Sequence, residues 1–406
     1  MPPDRYENED DATIGGSLCL ALTQKCVASC MHVIFFNQLQ DSPMGNEGKT
    51  PKKIEYIEYL ERVADPATSK KWILKHSIIV RGESGFEFLL KPNEKYVEVS
   101  PFERELENAM GAANWAARAR RETALTLSLA TGDKRPLLVA EGDSWFQFPV
   151  LIDEVIDHLG KDYLIACGSA AGDTARNMVY GNQGRGHQEY LRLLWRHRNR
   201  VRGFLLSAAG NDVIGEDVQD GDSTPVLQKI LKKPTEPNPG VLDIINMTEL
   251  RKRLDFLEGA YRLVIENIRR LDSSGRPAGL KPFQELPIII HGYDYAFPYP
   301  TPEAIGGVKD TRDPVYADKD QWLGSAFAPH KITDPQLRKD TIVYLVDQLY
   351  DMLFDVAGDS KKTQVWVVDC RKTLTKVSDW NDEIHGTDKG FRKISKKFAA
   401  VIKDVI

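Results

Sequence analysis

After Pro136 the chain repeats one pattern: a short apolar run rich in β-branched residues, followed by a helical stretch. The runs are LLVAE (137–141), YLIAC (163–167), GFLLSAA (203–209), PIIIHG (287–292) and QVWVVDC (364–370). Strands that alternate with helices return the chain each time to the same end of a sheet, so the pattern predicts an α/β domain with a mainly parallel sheet over 131–406. Two connections, about 213–247 and about 293–333, are longer than a compact domain needs, and loops of that kind usually serve the site.

Residues 1–130 follow a different plan and read as an N-terminal α+β extension. Residues 14–39 are apolar, but the stretch before them is acidic and Thr23, Gln24 and Lys25 interrupt them, which favours a buried element over an export signal. A polar loop at 41–53, a short helix in IEYIEYLERVA, two strands around GESG and a long helix from Pro101 to about Leu129 follow. No catalytic motif occurs here, so the extension is expected to be a regulatory or partner-binding module; the alternative is that it completes the core of the second part.

Composition excludes several classes. A chain of 406 residues with 42% hydrophobic and 28% charged residues is neither disordered nor fibrous. Its 54 basic and 59 acidic residues leave a formal charge of −5, which does not point to nucleic acid as an obligatory partner. No run reaches the roughly 18 apolar residues of a membrane span. Five cysteines, Cys19, Cys26, Cys30, Cys167 and Cys370, fit reduced thiols and a cytoplasmic protein. The oligomeric state is not legible.

In an open parallel sheet, ligands gather at the carboxyl ends of the strands. The first strand is followed by Gly142-Asp143-Ser144, the second by Gly168-Ser169-Ala170-Ala171-Gly172-Asp173-Thr174, the third by Gly210-Asn211-Asp212, and the fifth leads to Asp382-Glu383-Ile384-His385. Together they make an acyl-transfer site. Ser144 is the nucleophile and His385 its general base. The three-residue spacing lets Asp382 accept from the Nδ1–H of His385, fixing the tautomer that leaves Nε2 free to take the serine proton. Backbone N–H groups at Ser144 and Gly172 and the Asn211 amide are the oxyanion donors.

The blocks GDS, AGDT, GND and DxxH, in this order and at these strand ends, resemble the SGNH (GDSL) hydrolase superfamily over about 136–406. The resemblance implies a three-layer α/β/α, flavodoxin-like fold, with Ser144, Asp382 and His385 as the triad and Ser144, Gly172 and Asn211 as the oxyanion hole. Two departures are GDSWF after the first strand and Gly386 after the histidine, where the family often has Pro. The expected activity is cleavage of a carboxylic ester or thioester, as in an esterase, lipase, phospholipase or O-deacetylase, without a cofactor or metal.

Trp145, Phe146, His291 and Tyr293, with Tyr295 and Phe297, are candidates for a substrate wall, His291 having packing as its competing role. Asp143, Asp173 and Asp212 read as turn caps rather than metal ligands. Two other functions compete: a silent binding or regulatory protein on a hydrolase fold, and a metal-dependent phosphoesterase, which lacks the DxH or GNH strings that it would need.

Overall fold

The computed structural model describes residues 53–81, 88–100, 112–148, 152–180, 188–217, 222–270, 283–302, 310, 312 and 322–406. All five expected strands form: β1 (Leu137–Gly142), β2 (Leu164–Cys167), β3 (Val201–Ser207), β4 (Ile288–His291) and β5 (Val365–Val368). They make one parallel sheet in the order β2-β1-β3-β4-β5. This is the flavodoxin-like order, which places a crevice between β1 and β3, where the winding direction reverses.

Strand residues alternate between two apolar layers, as a period of two requires. On one face, Leu138, Ala140, Leu205 and Ile289 pack with Val155, Ile156 and Leu159 and with the C-terminal helix. On the other, Leu137, Val139, Phe204, Leu206, Ile288 and Ile290 pack under a second set of helices. With helices on both faces of the sheet, the architecture is three-layered α/β/α.

Four helices matter for the site: α1 (Ala112–Ala130), α2 (Met247–Arg270), α3 (Pro335–Ala357) and α4 (Asp388–Val405). Helix α4 starts where Thr387 Oγ1 accepts from Gly390 N at 3.1 Å and caps its first turn. It buries Phe391, Ile394, Phe398 and Ile402 completely. Truncating a phenylalanine so placed costs about 3–5 kcal/mol. Helices α2 and α3 do two jobs. Toward their C-terminal ends, Val264, Ile268, Leu353 and Val356 cover the sheet. Nearer their N-terminal ends, Leu254 and Leu345 face a cavity.

In the extension, the helix Tyr56–Ala64 forms, and Ser77–Arg81 pairs antiparallel with Phe88–Pro92 across GESG. The first apolar run around GESG is only partly strand: Lys70–His76 is helical, because the Ser69 side chain accepts from Trp72 N and caps a turn there. Helix α1 matches the end of the long helix expected from Pro101, whose first part lies outside the described residues. The readings at 14–39, including Cys19, Cys26 and Cys30, and at 41–53 except Lys53, also lie outside them. Helix α1 is fastened to the chain just after Ser144. Arg121 donates to Phe146 O and Gln147 Oε1, both at 2.9 Å, and pairs with the buried Glu154. No described helix is long and apolar enough to cross a membrane.

Candidate active site

The turn after β1 is shaped by close approach to β3. A Cβ on Gly142 would lie 2.7 Å from Ser207 Cβ, so only glycine lets the two strands meet here. Asp143 then closes the turn: its carboxylate accepts from Trp145 N at 3.0 Å and from Ser207 Oγ at 2.8 Å. Ser144 follows in a turn rather than at the start of a helix, the next helix beginning at Val155.

The structure brings Ser144, Asp382 and His385 together. His385 Nε2 lies 2.8 Å from Ser144 Oγ, and Nδ1 lies 2.9 and 3.0 Å from the two oxygens of Asp382. Asp382 also accepts from the backbone N–H groups of Ile384 and His385, at 2.9 and 2.7 Å. An acceptor on Nδ1 keeps the proton there and leaves Nε2 to accept from the serine hydroxyl. The loop carrying this pair is closed by an antiparallel bridge between Trp380 and Gly386 and by Asn381 N donating to His385 O at 2.8 Å. The imidazole is flanked by Phe148 and Trp322, with ring centroids at 4.7 and 5.8 Å.

On the other side of Ser144, Asn211 stands in the short helix Gly210–Ile214 after β3 and lines the cavity. Its amide donates to Asp173 O at 2.7 Å, which leaves its second N–H for another acceptor. Gly172 has φ of 82°, a backbone region that glycine enters without strain, but it does not line the cavity. Ala209 and Tyr293 also have positive φ, 89° and 64°, so strained backbone collects at this rim. Tyr293 holds it in place: its hydroxyl accepts from Gly210 N at 2.8 Å and bonds to Asp143.

The six candidates for a substrate wall separate, and Tyr295 and Phe297 do not line the cavity. Tyr293 and Trp145 line the cavity. Trp145 also has a fastening role, because its Nε1 donates to Ile384 O at 3.0 Å and ties the serine turn to the His385 loop. Phe146 and His291 do not line the cavity; both are fully buried and stacked on one another, with centroids 5.6 Å apart. Their backbone stands at the rim but their side chains point into the layer beneath α4, where Phe398 meets both. Burial pushes the His291 imidazole down to about 3, so it stays neutral. Its Nε2 has no hydrogen-bond partner among the described residues.

Behind the Asn211 side lies a row of acids, Glu141 buried and Asp173 and Asp212 partly buried. Burial, reinforced by neighbouring carboxylates, pushes Glu141 up to about 8 and Asp173 up to about 7. Asp212 is raised to about 6, chiefly by burial. Asp173 caps its own turn through Thr174 N at 2.9 Å. Asp212 instead reaches across to the helix Ala175–Tyr180, accepting from Ala175 N and Arg176 N at 2.7 and 3.2 Å. No group of three His, Cys, Asp or Glu side chains arranged for a metal ion occurs among the described residues.

Sequence reasoning passed over Glu383. Fully buried inside Asp-x-x-His, it accepts from the backbone N–H groups of Tyr299, Trp322, Leu323 and Gly324 at 2.7, 2.7, 3.0 and 2.9 Å. Burial raises its pKa while these four donors pull it down. It pins the connection after β4 to the loop that carries His385. A buried acid next to a base candidate is the signal that could have found it.

The cavity beside Ser144 holds about 930 Å³ of empty space, its mouth included. Leu227, Ile230, Leu254, Leu257, Leu345 and Leu349 contribute to its wall.

No family model and no curated protein matches this chain. Among solved structures, a native aryl esterase of M. smegmatis is similar at 13% identity, with TM-score 0.37, over 67% of this chain and 100% of that one. An extracellular lipase from Streptomyces rimosus covers the same shares at 10% identity and TM-score 0.37. The carbohydrate acetylesterase Est24 from Sinorhizobium meliloti does so at 11% and 0.34. At such scores these likenesses decide nothing about chemistry, and the site's own geometry has to carry the functional reading.

Proposed function

We propose that this chain is a serine hydrolase that cleaves a carboxylic ester or thioester. One observation carries the reading: Ser144 Oγ is 2.8 Å from His385 Nε2, and Nδ1 of the same ring is bonded to Asp382. Ser144 Oγ attacks the acyl carbon while its proton passes to Nε2, and Asp382 stabilises the imidazolium that forms. The carbonyl oxygen becomes an oxyanion, met by the Asn211 amide and by the backbone N–H groups of Ser144 and Gly172. His385 returns the proton to the leaving oxygen or sulfur. Water activated by the same histidine then releases the acid and restores the serine. The order of the GDS, AGDT, GND and DxxH blocks along the chain and around the sheet supports membership of the SGNH type.

We propose further that α1 belongs to the hydrolase unit. The bonds from Arg121 to Phe146, Gln147 and Glu154 support the alternative weighed from sequence, that this end of the extension completes the core. A regulatory or partner-binding role is then reserved for the residues before it. Labelling with a fluorophosphonate probe tests the main reading. Wild-type protein should be labelled and the Ser144→Ala form should not; equal labelling of both would end the serine mechanism.

A further inference from the structure

The structure assigns the cavity beside Ser144 to the acyl half of the substrate, and its chemistry to an apolar aliphatic chain well beyond acetyl. This assignment rests on the hydrolase reading of the same site.

Position argues first. Ser144 and Asn211 both line the cavity, whereas His385 does not. The leaving alcohol must lie against His385 Nε2, which protonates it, while the carbonyl oxygen faces Asn211. The cavity reaches from Asn211 to Trp380 and Ile384 in the His385 loop but omits His385 itself, so it receives the acyl group and not the alcohol.

Wall chemistry argues next. Besides Ser144, the polar side chains that line the space are already engaged within the protein. Asp143 is held by Trp145 N, Ser207 and Tyr293, and Asp294 accepts from Tyr295 N at 2.7 Å and Thr373 N at 2.9 Å. Arg253 is paired with Glu249 at 2.7 Å, and the indole N–H groups of Trp145 and Trp380 are given to Ile384 O and Leu374 O. The second N–H of Asn211 is left for a further acceptor, and the oxyanion takes it. A sugar or a charged acyl group would lose its hydration here without replacement bonds, which costs several kcal/mol on the general scale for buried polar groups. The remaining wall is Leu, Ile and Val from several elements, Leu227 and Ile230 on one side and Leu254, Leu257, Ile342 and Leu349 on the α2 and α3 sides. The empty space amounts to about 930 Å³ with the open mouth counted in. An acetyl group would leave most of it empty.

Steady-state hydrolysis of p-nitrophenyl acetate, butyrate, octanoate and dodecanoate tests the assignment, alongside calorimetric binding of decanoate to the Ser144→Ala protein. Each added methylene that enters the cavity should raise kcat/KM about fourfold, until the space is full. Octanoate should therefore exceed acetate by at least about a hundredfold. Leu254→Trp, checked for an unchanged circular dichroism spectrum, should reduce that ratio at least about tenfold by shortening the space. Decanoate should bind Ser144→Ala, and bind the Leu254→Trp version of it more weakly. Hydrolysis of acetate with no gain on lengthening would overturn the cavity assignment and leave the hydrolase reading standing. Decanoate binding with no hydrolysis of any ester would overturn the hydrolase reading and still support an aliphatic chain as the occupant.

Discussion

The two sides of Ser144 are built by different means. On the His385 side, side chains hold side chains: Asp382 on Nδ1, Phe148 and Trp322 against the ring, and Trp145 tying the two loops. On the Asn211 side, backbone conformation carries the arrangement, with positive φ at Gly172 and Ala209 and an amide anchored on Asp173 O. The first side is complete before substrate arrives. On the proposed mechanism, the second is a set of donors whose acceptor exists only during the reaction, so its geometry tightens when the oxyanion forms. The two sides also differ in charge chemistry, with a neutral buried histidine beneath one and a row of acids with raised pKa behind the other.

Breaking the His385 side should have the largest effect. His385→Ala is expected to lower kcat by about 10⁴–10⁶, and Asp382→Asn by about 10⁴, measured on any ester that the wild-type enzyme turns over. A loss below tenfold in either would mean that the bonded trio is structural. On the other side, Asn211→Ala should lower kcat by about 10²–10³ with KM little changed. An effect confined to KM would move Asn211 from the oxyanion to ground-state binding.

The smallest effect separates the two sides by pH. His291 is held neutral with its pKa lowered from 6.5 to about 3, so between these values the unfolded chain binds the extra proton and stability falls as the solution is acidified. Glu141 is raised from 4.5 to about 8, so between these values the folded protein keeps the extra proton and stability falls as pH rises. Each slope is about 1.4 kcal/mol per pH unit for one proton. Urea unfolding across pH should show His291→Phe flattening the acid limb and Glu141→Gln flattening the alkaline limb. Unchanged limbs in both variants would show that these groups titrate alike in folded and unfolded chains.

What could be read from the residues follows the same division. The five strands were legible because short apolar runs between helices have few other uses, and Asp382 with His385 because three residues of spacing suffice to join them. Phe146 was misplaced, and His291 took its packing role instead of the wall, because a position at a strand end does not say which layer its side chain enters. Glu383 escaped because its four donors come from residues about 60 to 84 positions away along the chain. The cavity escaped for a similar reason, since α2 and α3 each read as one amphipathic helix while only their C-terminal parts cover the sheet.

The separation of nucleophile and base along the chain, 241 residues, also sets an order in time. At about 5–20 residues per second of synthesis, roughly 10–50 s pass between the making of Ser144 and the making of His385. During that interval β4, β5 and α4 are also still to come, so the nascent chain carries a serine with neither a base nor a finished sheet beneath it. On the proposed mechanism, reactivity therefore switches on late, when the Asp382–His385 loop docks. The same mechanism leaves a ribosome-bound or prematurely terminated chain that lacks this loop silent toward the esters around it.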